Sequence, residues 1–467
     1  MSRALGAALL VVALTSCATP VPQSLPAQMV PASFTSPAES QIWPDASWWE
    51  GFGNLELATL IRKAQADNRN IGVATAQVLQ ARAQSTIQRS ALLPQIGGQA
   101  NVLNDGCRGQ SCSTFTNGAN NGVSFNASYD LDLWGVAHSN LRAANEQVKA
   151  ARFAKEAVAL SVTANVASQY LTVLAIRGRI VIANEDITAI NSITDTIKLR
   201  VKAGTTSHLD LAREQAQIED EEAQLLALQT QEKQTLFSLA VLLGEPPEGF
   251  DVNAHSLDGV LAPAIGAGLP SELLIRRPDI AQAEADLASA HANVDAARAR
   301  FFPQISLTGQ GGFVNTAISG LLQASNFGYS YGATLLQTIF DGGNLSGQKR
   351  LAEARQQQLV ASYQNTILSA YADVESALVE VANTAAAEDH LRREVAAARE
   401  AFQISQLQYR QGTTDLLTVL QAQQTLFSAR DQLAQATFAN RQAAVHLYES
   451  LGGGWLESRE DRTQFAR

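Results

Sequence analysis

The sequence predicts an α+β membrane protein in which one structural plan occurs twice along the chain. Three observations predict this fold class. Peptides recur at an offset of 208 or 209 residues, long stretches contain neither Gly nor Pro, and four short runs alternate between apolar and polar residues. We therefore expect two long helical hairpins and four β-strands.

The repeat is clearest in the peptides LLPQIG and FFPQIS, at residues 92–97 and 301–306. Four pairs of residues share the offset: Ile71 with Ile280, Pro94 with Pro303, Gly204 with Gly412 and Gly244 with Gly452. A repeat of roughly 200 residues is far longer than a solenoid unit, so a stacked array is not expected. The predicted boundaries are 55–260 and 261–458 for the two repeats, followed by a polar tail at 459–467.

The N-terminus predicts export and acylation. Arg3 precedes an apolar run, Ala4 to Leu14, that is too short to be a transmembrane helix. The run ends in LTSC, which resembles the bacterial lipobox, in which the chain is cut before a cysteine that is then acylated. We predict a signal peptide at 1–16, an acylated Cys17 and an extended tether at 17–54. The alternative is an ordinary signal peptide with an incidental cysteine.

Two further cysteines, Cys107 and Cys112, lie in a loop rich in Gly, Ser and Asn. An exported chain meets an oxidising compartment, so the pair is expected to form a small disulfide ring. A metal pair is the weaker alternative, because no His or additional Cys completes a ligand set.

The helices are predicted from the absence of Gly and Pro together with heptad spacing. Residues 348–411 and 413–451 contain neither residue, and Gly412 between them suits a tight turn. The first half matches with helices at about 139–203 and 207–243, joined near Gly204. Shorter helices are expected at about 55–92 and 272–302. The heptad seam consists of Val360, Tyr363, Ile367, Ala370, Val374, Ala377 and Val381.

Four runs with a period of two predict the strands, at 95–102, 122–135, 304–313 and 327–335. Each is about ten residues long, which is enough to cross a bilayer as a tilted strand. Four strands cannot close a barrel, and lipid does not tolerate an open strand edge. Three chains would supply twelve strands, an allowed even number. The alternative is a sheet packed on the protein's own core.

These features together resemble the TolC-like outer-membrane efflux proteins, in particular the acylated branch that serves drug-efflux systems. The peptides that carry the resemblance span most of the mature chain: WWEGFGNLELATLI (48–61), GLPSELLIRRPDIAQAEADLASA (268–290), ARARFFPQISLTG (297–309), IFDGGNL (339–345) and ESLGGGW (449–455). The resemblance implies a homotrimer with a twelve-stranded outer-membrane barrel continued by a helical tunnel through the periplasm. It also implies a periplasmic adaptor protein and an inner-membrane efflux transporter as partners.

The resemblance also implies functional roles for the two hairpin tips, which would dock the adaptor. The matching residues are Gly204, Thr205, Thr206, Ser207, Leu209 and Asp210 in the first tip, and Gly412, Thr413, Thr414, Asp415, Leu416 and Leu417 in the second. A plain turn would also explain each Gly-Thr-Thr. Family members often carry Asp in the constriction after the second tip, where this chain has Gln421. Closure of the periplasmic gate is therefore expected to rest on Leu417, Leu420 and Gln421.

Nothing in the sequence points to catalysis. The six His residues are scattered, and no G-x-S-x-G, Walker A or dinucleotide-binding motif occurs. The net charge of −10 and the lack of a basic patch argue against nucleic-acid binding. We predict a protein without metal or cofactor.

The predicted function is a passive, gated outer-membrane duct for drugs or other small molecules. It would be anchored in outer-membrane lipid and extend into the periplasm. Two alternatives remain: the exit duct of a protein-secretion system, and a non-conducting coiled-coil scaffold or adhesin. The scaffold does not account for the four alternating strands.

Overall fold

The computed structural model describes residues 31, 33–34, 43–105, 118–263, 268, 270–315 and 318–456. In the first half, helices α1 (Leu55–Asp67) and α2 (Arg69–Ser90) precede strands β1 (Gln95–Asp105) and β2 (Gly118–Leu131), and the hairpin α3 (Val136–Lys202) and α4 (His208–Leu242) follows. The second half repeats this order with α5 (Leu273–Arg276), α6 (Pro278–Ala299), β3 (Gln304–Asn315), β4 (Phe327–Leu336), α7 (Asn344–Gln411) and α8 (Leu416–Ser450). The duplication and the change from helix to strand after each PQI peptide are as predicted.

The shorter helices were predicted as continuous, and this prediction is wrong at one equivalent position in each half. Asn68 and Arg277, both in extended backbone conformation, interrupt them. The Asn68 side chain accepts hydrogen bonds from the N–H groups of Asn70 and Ile71 and so caps α2. At Arg277 the break follows from Pro278, which disfavours helical backbone in the residue before it.

Both interruptions tie the short helices to the end of the long hairpin. Asn68 Nδ2 donates to the Leu242 carbonyl at 2.7 Å, and Arg277 Nη1 donates to the Ser450 carbonyl at 3.1 Å. Gly244 and Gly452 lie beside these bonds and have φ angles of 73° and 87°. A Cβ on Gly244 would lie 2.6 Å from the Asp67 carbonyl oxygen, so only glycine allows this approach.

The long helices form two antiparallel hairpins that pack side by side through α3 and α8, while α6 packs along α3 and α7. Helices α3 and α7 have 67 and 68 residues, which corresponds to about 100 Å each. The centre of the predicted seam, from Ile367 to Ala377, is buried. By length and composition α3 could cross a membrane, but 61% of its most apolar window is buried inside the protein.

The largest apolar core lies where the N-terminal WWEGF segment packs between the two halves. Trp48 stacks on Tyr448 of α8 with ring centroids 4.7 Å apart, and Phe52 and Tyr170 are fully buried nearby. Glu56 accepts hydrogen bonds from the Tyr170 hydroxyl and from the backbone N–H groups of Asn253 and Ala254. This core fastens the segment between the repeats to the first hairpin.

The four strands form one antiparallel sheet in the order β1-β2-β3-β4. Gly98 pairs with Phe125, Phe125 with Gly311, and Gly311 with Tyr329. The duplicated halves are joined through β2 and β3, and β1 and β4 are the edges of the sheet.

Arg277 is expected to be an important tie, because its side chain is only 13% exposed and pairs with both Asp279 and Asp373. Arg277→Ala removes these contacts and leaves the buried Ser450 carbonyl without its donor, so it should lower the free energy of unfolding by about 1–3 kcal/mol. Urea titration of helical circular dichroism would measure this loss. Arg393→Ala, which removes an exposed pair with Asp389 on α7, should cost less than about 1 kcal/mol. Equal losses would contradict the role given to Arg277.

Candidate functional site

The sheet has one apolar and one polar face, and the register carries both faces across all four strands. Residues that pair across antiparallel strands share a face. The apolar face comprises Ile96, Ala100, Val102, Val123, Phe125, Ala127, Tyr129, Leu131, Ile305, Leu307, Phe313, Phe327, Tyr329, Tyr331, Ala333 and Leu335. The opposite face is mainly polar and comprises Gln95, Gln99, Asn101, Ser124, Asn126, Ser128, Asp130, Ser306, Thr308, Gln310, Ser330 and Thr334, with Val314 and Leu336 near its ends.

Large apolar side chains on the first face are open to the surroundings, which is unusual for a protein in water. Phe125 is 64% exposed, Tyr329 75% and Tyr331 85%. No layer of the described chain covers them. Such a face suits the hydrocarbon region of a bilayer, and the polar face then suits a water-filled bore.

An aromatic cluster marks the end of the sheet that leads into the helices. Trp134 stacks on Phe302 at 4.8 Å, and its indole N–H donates to the Pro303 carbonyl. Nearby along the chain, Ile339 is 96% and Phe340 is 89% exposed. Amphipathic and aromatic side chains of this kind gather at the membrane–water boundary.

Each long helix starts with an aspartate at an equivalent place just beyond this boundary. Asp132 accepts hydrogen bonds from the N–H groups of Ala137 and His138, and Asp341 accepts from those of Gly343 and Leu345. A carboxylate that satisfies the free N–H groups of a helix N-terminus favours the start of the helix there. The strands and the helices are thereby joined in the same way in both halves.

The two hairpin tips have the same capping geometry at the far ends of these helices. Gly204 and Gly412 adopt φ of 73° and 77°. The next residues, Thr205 and Thr413, each donate both N–H and hydroxyl to one carbonyl, that of Arg200 and that of Gln408. This is a Schellman arrangement, and it ends each outgoing helix sharply.

The returning helices also have side-chain caps, which accounts for Ser207 and Asp415. The Ser207 hydroxyl accepts from the Leu209 N–H, and the Asp415 carboxylate accepts from the N–H and the hydroxyl of Thr418. These two Thr418 hydrogen bonds lower the pKa of Asp415. Capping thus accounts for most of the polar residues that were predicted at the tips.

The apolar tip residues fall into two groups. Leu209 is 57% exposed and Leu417 is 47% exposed, whereas Leu416 is only 6% exposed. Of the predicted gate residues, Gln421 is exposed and Leu420 is half-buried. Leu209 and Leu417 are therefore the exposed large apolar side chains among the predicted tip residues.

Ion pairs between the hairpins form a second feature, which the sequence does not predict. Arg179 of α3 makes a bidentate pair with Asp431 of α8, at 2.6 and 3.2 Å. Arg430 of α8 in turn contacts Asp186, at 2.7 Å, and Glu185 of α3. The first pair has its arginine on α3 and the second has its arginine on α8. Together they hold α3 and α8 in one register. In sequence they resemble ordinary solvated helix charges.

A buried carboxyl group lies near the tips without any such partner. Glu214 of α4 is 3% exposed, and its Oε2 has no hydrogen-bond partner. Burial raises the pKa of Glu214 to about 7. Thr194 and Gln423 also have buried side-chain oxygens without partners. At neutral pH Glu214 is therefore partly protonated in the packed hairpins.

Three predicted residues, Cys17, Cys107 and Cys112, lie outside the described residues. Within the described residues, no group of three or more His, Cys, Asp or Glu side chains could hold a metal ion.

An exposed apolar sheet with a polar reverse face, continued by capped helical hairpins, defines a membrane channel subunit. The family model of the outer membrane efflux proteins matches residues 60–245 and 269–453, once in each half. This chain belongs to the outer membrane efflux protein family. The predicted fold class, four strands per chain of a trimeric twelve-stranded barrel continued by a helical tunnel, is confirmed. The family is one of channels rather than enzymes.

Known proteins resemble the chain over nearly its whole length. The pyoverdine export outer membrane protein OpmQ of Pseudomonas aeruginosa is 36% identical over 424 residues, 88% of either chain. The cation efflux system protein CusC of Escherichia coli K12 is 30% identical and covers 95% of this chain and 97% of its own. The solved outer-membrane channel OprN has a TM-score of 0.85 at 27% identity, covering 94% of this chain and 98% of its own.

Glu214→Gln should change the pH dependence of stability. The folded-state pKa of about 7 lies above the usual carboxyl value, so the destabilisation grows as pH rises from about 4.5 to 7. We expect Glu214→Gln to stabilise the protein by about 3 kcal/mol at pH 8 and by less than about 1 kcal/mol at pH 5. Urea titrations at the two pH values would measure this difference. Glu222→Gln, at an exposed position of the same helix, is the control, and equal effects of both variants would refute the assignment.

Proposed function

We propose that this chain is the outer-membrane channel of a tripartite efflux pump, a passive gated duct that carries small molecules from the periplasm to the exterior. The observation that carries the proposal is the two-faced sheet, because its exposed aromatic face requires lipid and its polar face requires water. The chain then supplies a path and no chemical step. Energy for transport would come from an inner-membrane transporter.

Three chains would assemble around the bore. Strands β1 and β4 are sheet edges, and their free N–H and C=O groups need partners inside a bilayer. The β4 edge of one chain pairing with the β1 edge of the next would satisfy these groups. The helical hairpins that continue from the strands would then line a tunnel roughly 100 Å long.

The hairpin tips would close this tunnel at rest and dock a periplasmic adaptor. Leu209 and Leu417 support docking, because apolar side chains exposed at the ends of the hairpins are suited to a protein partner. Leu417, Leu420 and Gln421 would form the constriction, without a ring of acidic side chains. The buried Leu416 would stabilise the tip itself.

The remaining parts of the proposal concern anchoring and cargo. Cys17 would carry the acyl chain that holds the tether in outer-membrane lipid, and Cys107 and Cys112 would form a disulfide. Because OpmQ is described for pyoverdine export and CusC for cation efflux, the cargo would be a small molecule or ion rather than a folded protein.

Export assays in the native host test the function. A deletion strain first identifies the compounds whose tolerance or secretion depends on this chain, and variants are then returned to it. We expect the Leu209→Asp/Leu417→Asp double variant to lose most of the restored export, because each carboxylate would face the adaptor unpaired.

Leu226→Asp is the matched control, since Leu226 is 64% exposed in the middle of α4. It should restore export as the unaltered chain does, at equal levels in the outer membrane. Full export by the double variant would refute docking through the exposed leucines. A deletion strain with unchanged tolerance and secretion would refute the efflux function.

A further inference from the structure

The charges on the four strands have only one sign. The strands contain no Lys, Arg or His, and their two acidic residues are Asp105 and Asp130. Asp130 belongs to the polar face, where it pairs with Ser306, and Ser306 pairs with Thr334. The polar face of the described strands therefore has negative charge without any positive charge to balance it.

Asp130 lies at the end of the sheet where the strands lead into the helices. Its carboxylate is exposed and accepts a hydrogen bond from the Ser306 hydroxyl. This bond fixes the direction of the side chain without neutralising its charge. Trp134 of the aromatic boundary follows four residues later, and Asp132, in between, is occupied in capping α3. Asp130 is thus an exposed carboxylate near the junction of barrel and tunnel, and no ion pair among the described residues neutralises its charge.

We propose that Asp130 determines the ionic preference of the duct: three copies form a ring of carboxylates that favours cations and cationic cargo over anions. The inference rests on the proposed function, because only the assembled channel brings three copies around one bore. It concerns selectivity in the barrel, separately from opening at the hairpin tips.

The radius of the barrel indicates at which salt concentrations the carboxylate ring should affect ion selectivity. Twelve strands about 4.8 Å apart and tilted by about 40° place the carboxylates roughly 10 Å from the axis. The Debye length is about 30 Å at 0.01 M salt and about 3 Å at 1 M. The field of the ring should therefore reach the centre of the bore at low salt and be screened out at high salt.

Reversal potentials in planar lipid bilayers under a KCl gradient test the proposal. The purified full chain would carry Gly204→Val and Gly412→Val, which loosen the tips because a β-branched residue is strained at positive φ. In this background, Asp130→Asn should lower the K⁺-to-Cl⁻ permeability ratio at least about threefold near 0.01 M KCl and hardly at all at 1 M. Asp130→Lys should shift the preference towards Cl⁻.

Glu248→Gln serves as control, since it removes an exposed carboxylate from the segment after α4. It should leave the permeability ratio unchanged. Current through Asp130→Asn with an unaltered ratio at low salt would overturn this inference and leave the duct function intact. Absence of current from every tip-loosened protein, with insertion confirmed, would overturn the duct function and this inference with it.

Discussion

The unpaired edges of the four-stranded sheet constrain the rest of the structure. A bilayer offers no hydrogen-bond partner to a free strand edge, so β1 and β4 must find strands in other copies of the chain. The exposed aromatic face places this sheet in lipid and thereby turns the polar face into the wall of a bore. Assembly, membrane insertion and the conducting path therefore follow from one constraint.

The hairpins extend this barrel, and the duplication gives both hairpins the same three stabilising features. An aspartate starts each long helix, a glycine in the left-handed region ends it, and a polar residue ties the short helices to the end of the returning helix. In the last case Asn68 and Arg277 achieve the same connection with different chemistry. The duplication has thus conserved the geometry of the fastening, and the residue type differs between the halves.

Periodic features could be predicted from the sequence, because helix, strand and repeat each have a characteristic spacing. The strands, the PQI junctions and both hairpins are examples. The breaks at Asn68 and Arg277 have local signals, a capping asparagine and Pro278, but each lies within one otherwise helical pattern, and the carbonyl bound by its side chain is over 170 residues away. Arg430 with Asp186, and the buried Glu214, were missed because burial of a charged residue is decided by tertiary packing. Leu416 and Leu417 are adjacent in sequence, yet packing alone exposes one and buries the other.

Single-channel recording in a planar lipid bilayer tests the central claim, that the tips seal a duct formed by several chains. The unaltered protein would be compared with the Gly204→Val/Gly412→Val variant at equal insertion. Small currents from the unaltered protein that grow in the variant are expected, because the caps fix the turn of each hairpin tip. No current from either protein would contradict the duct and favour a non-conducting scaffold.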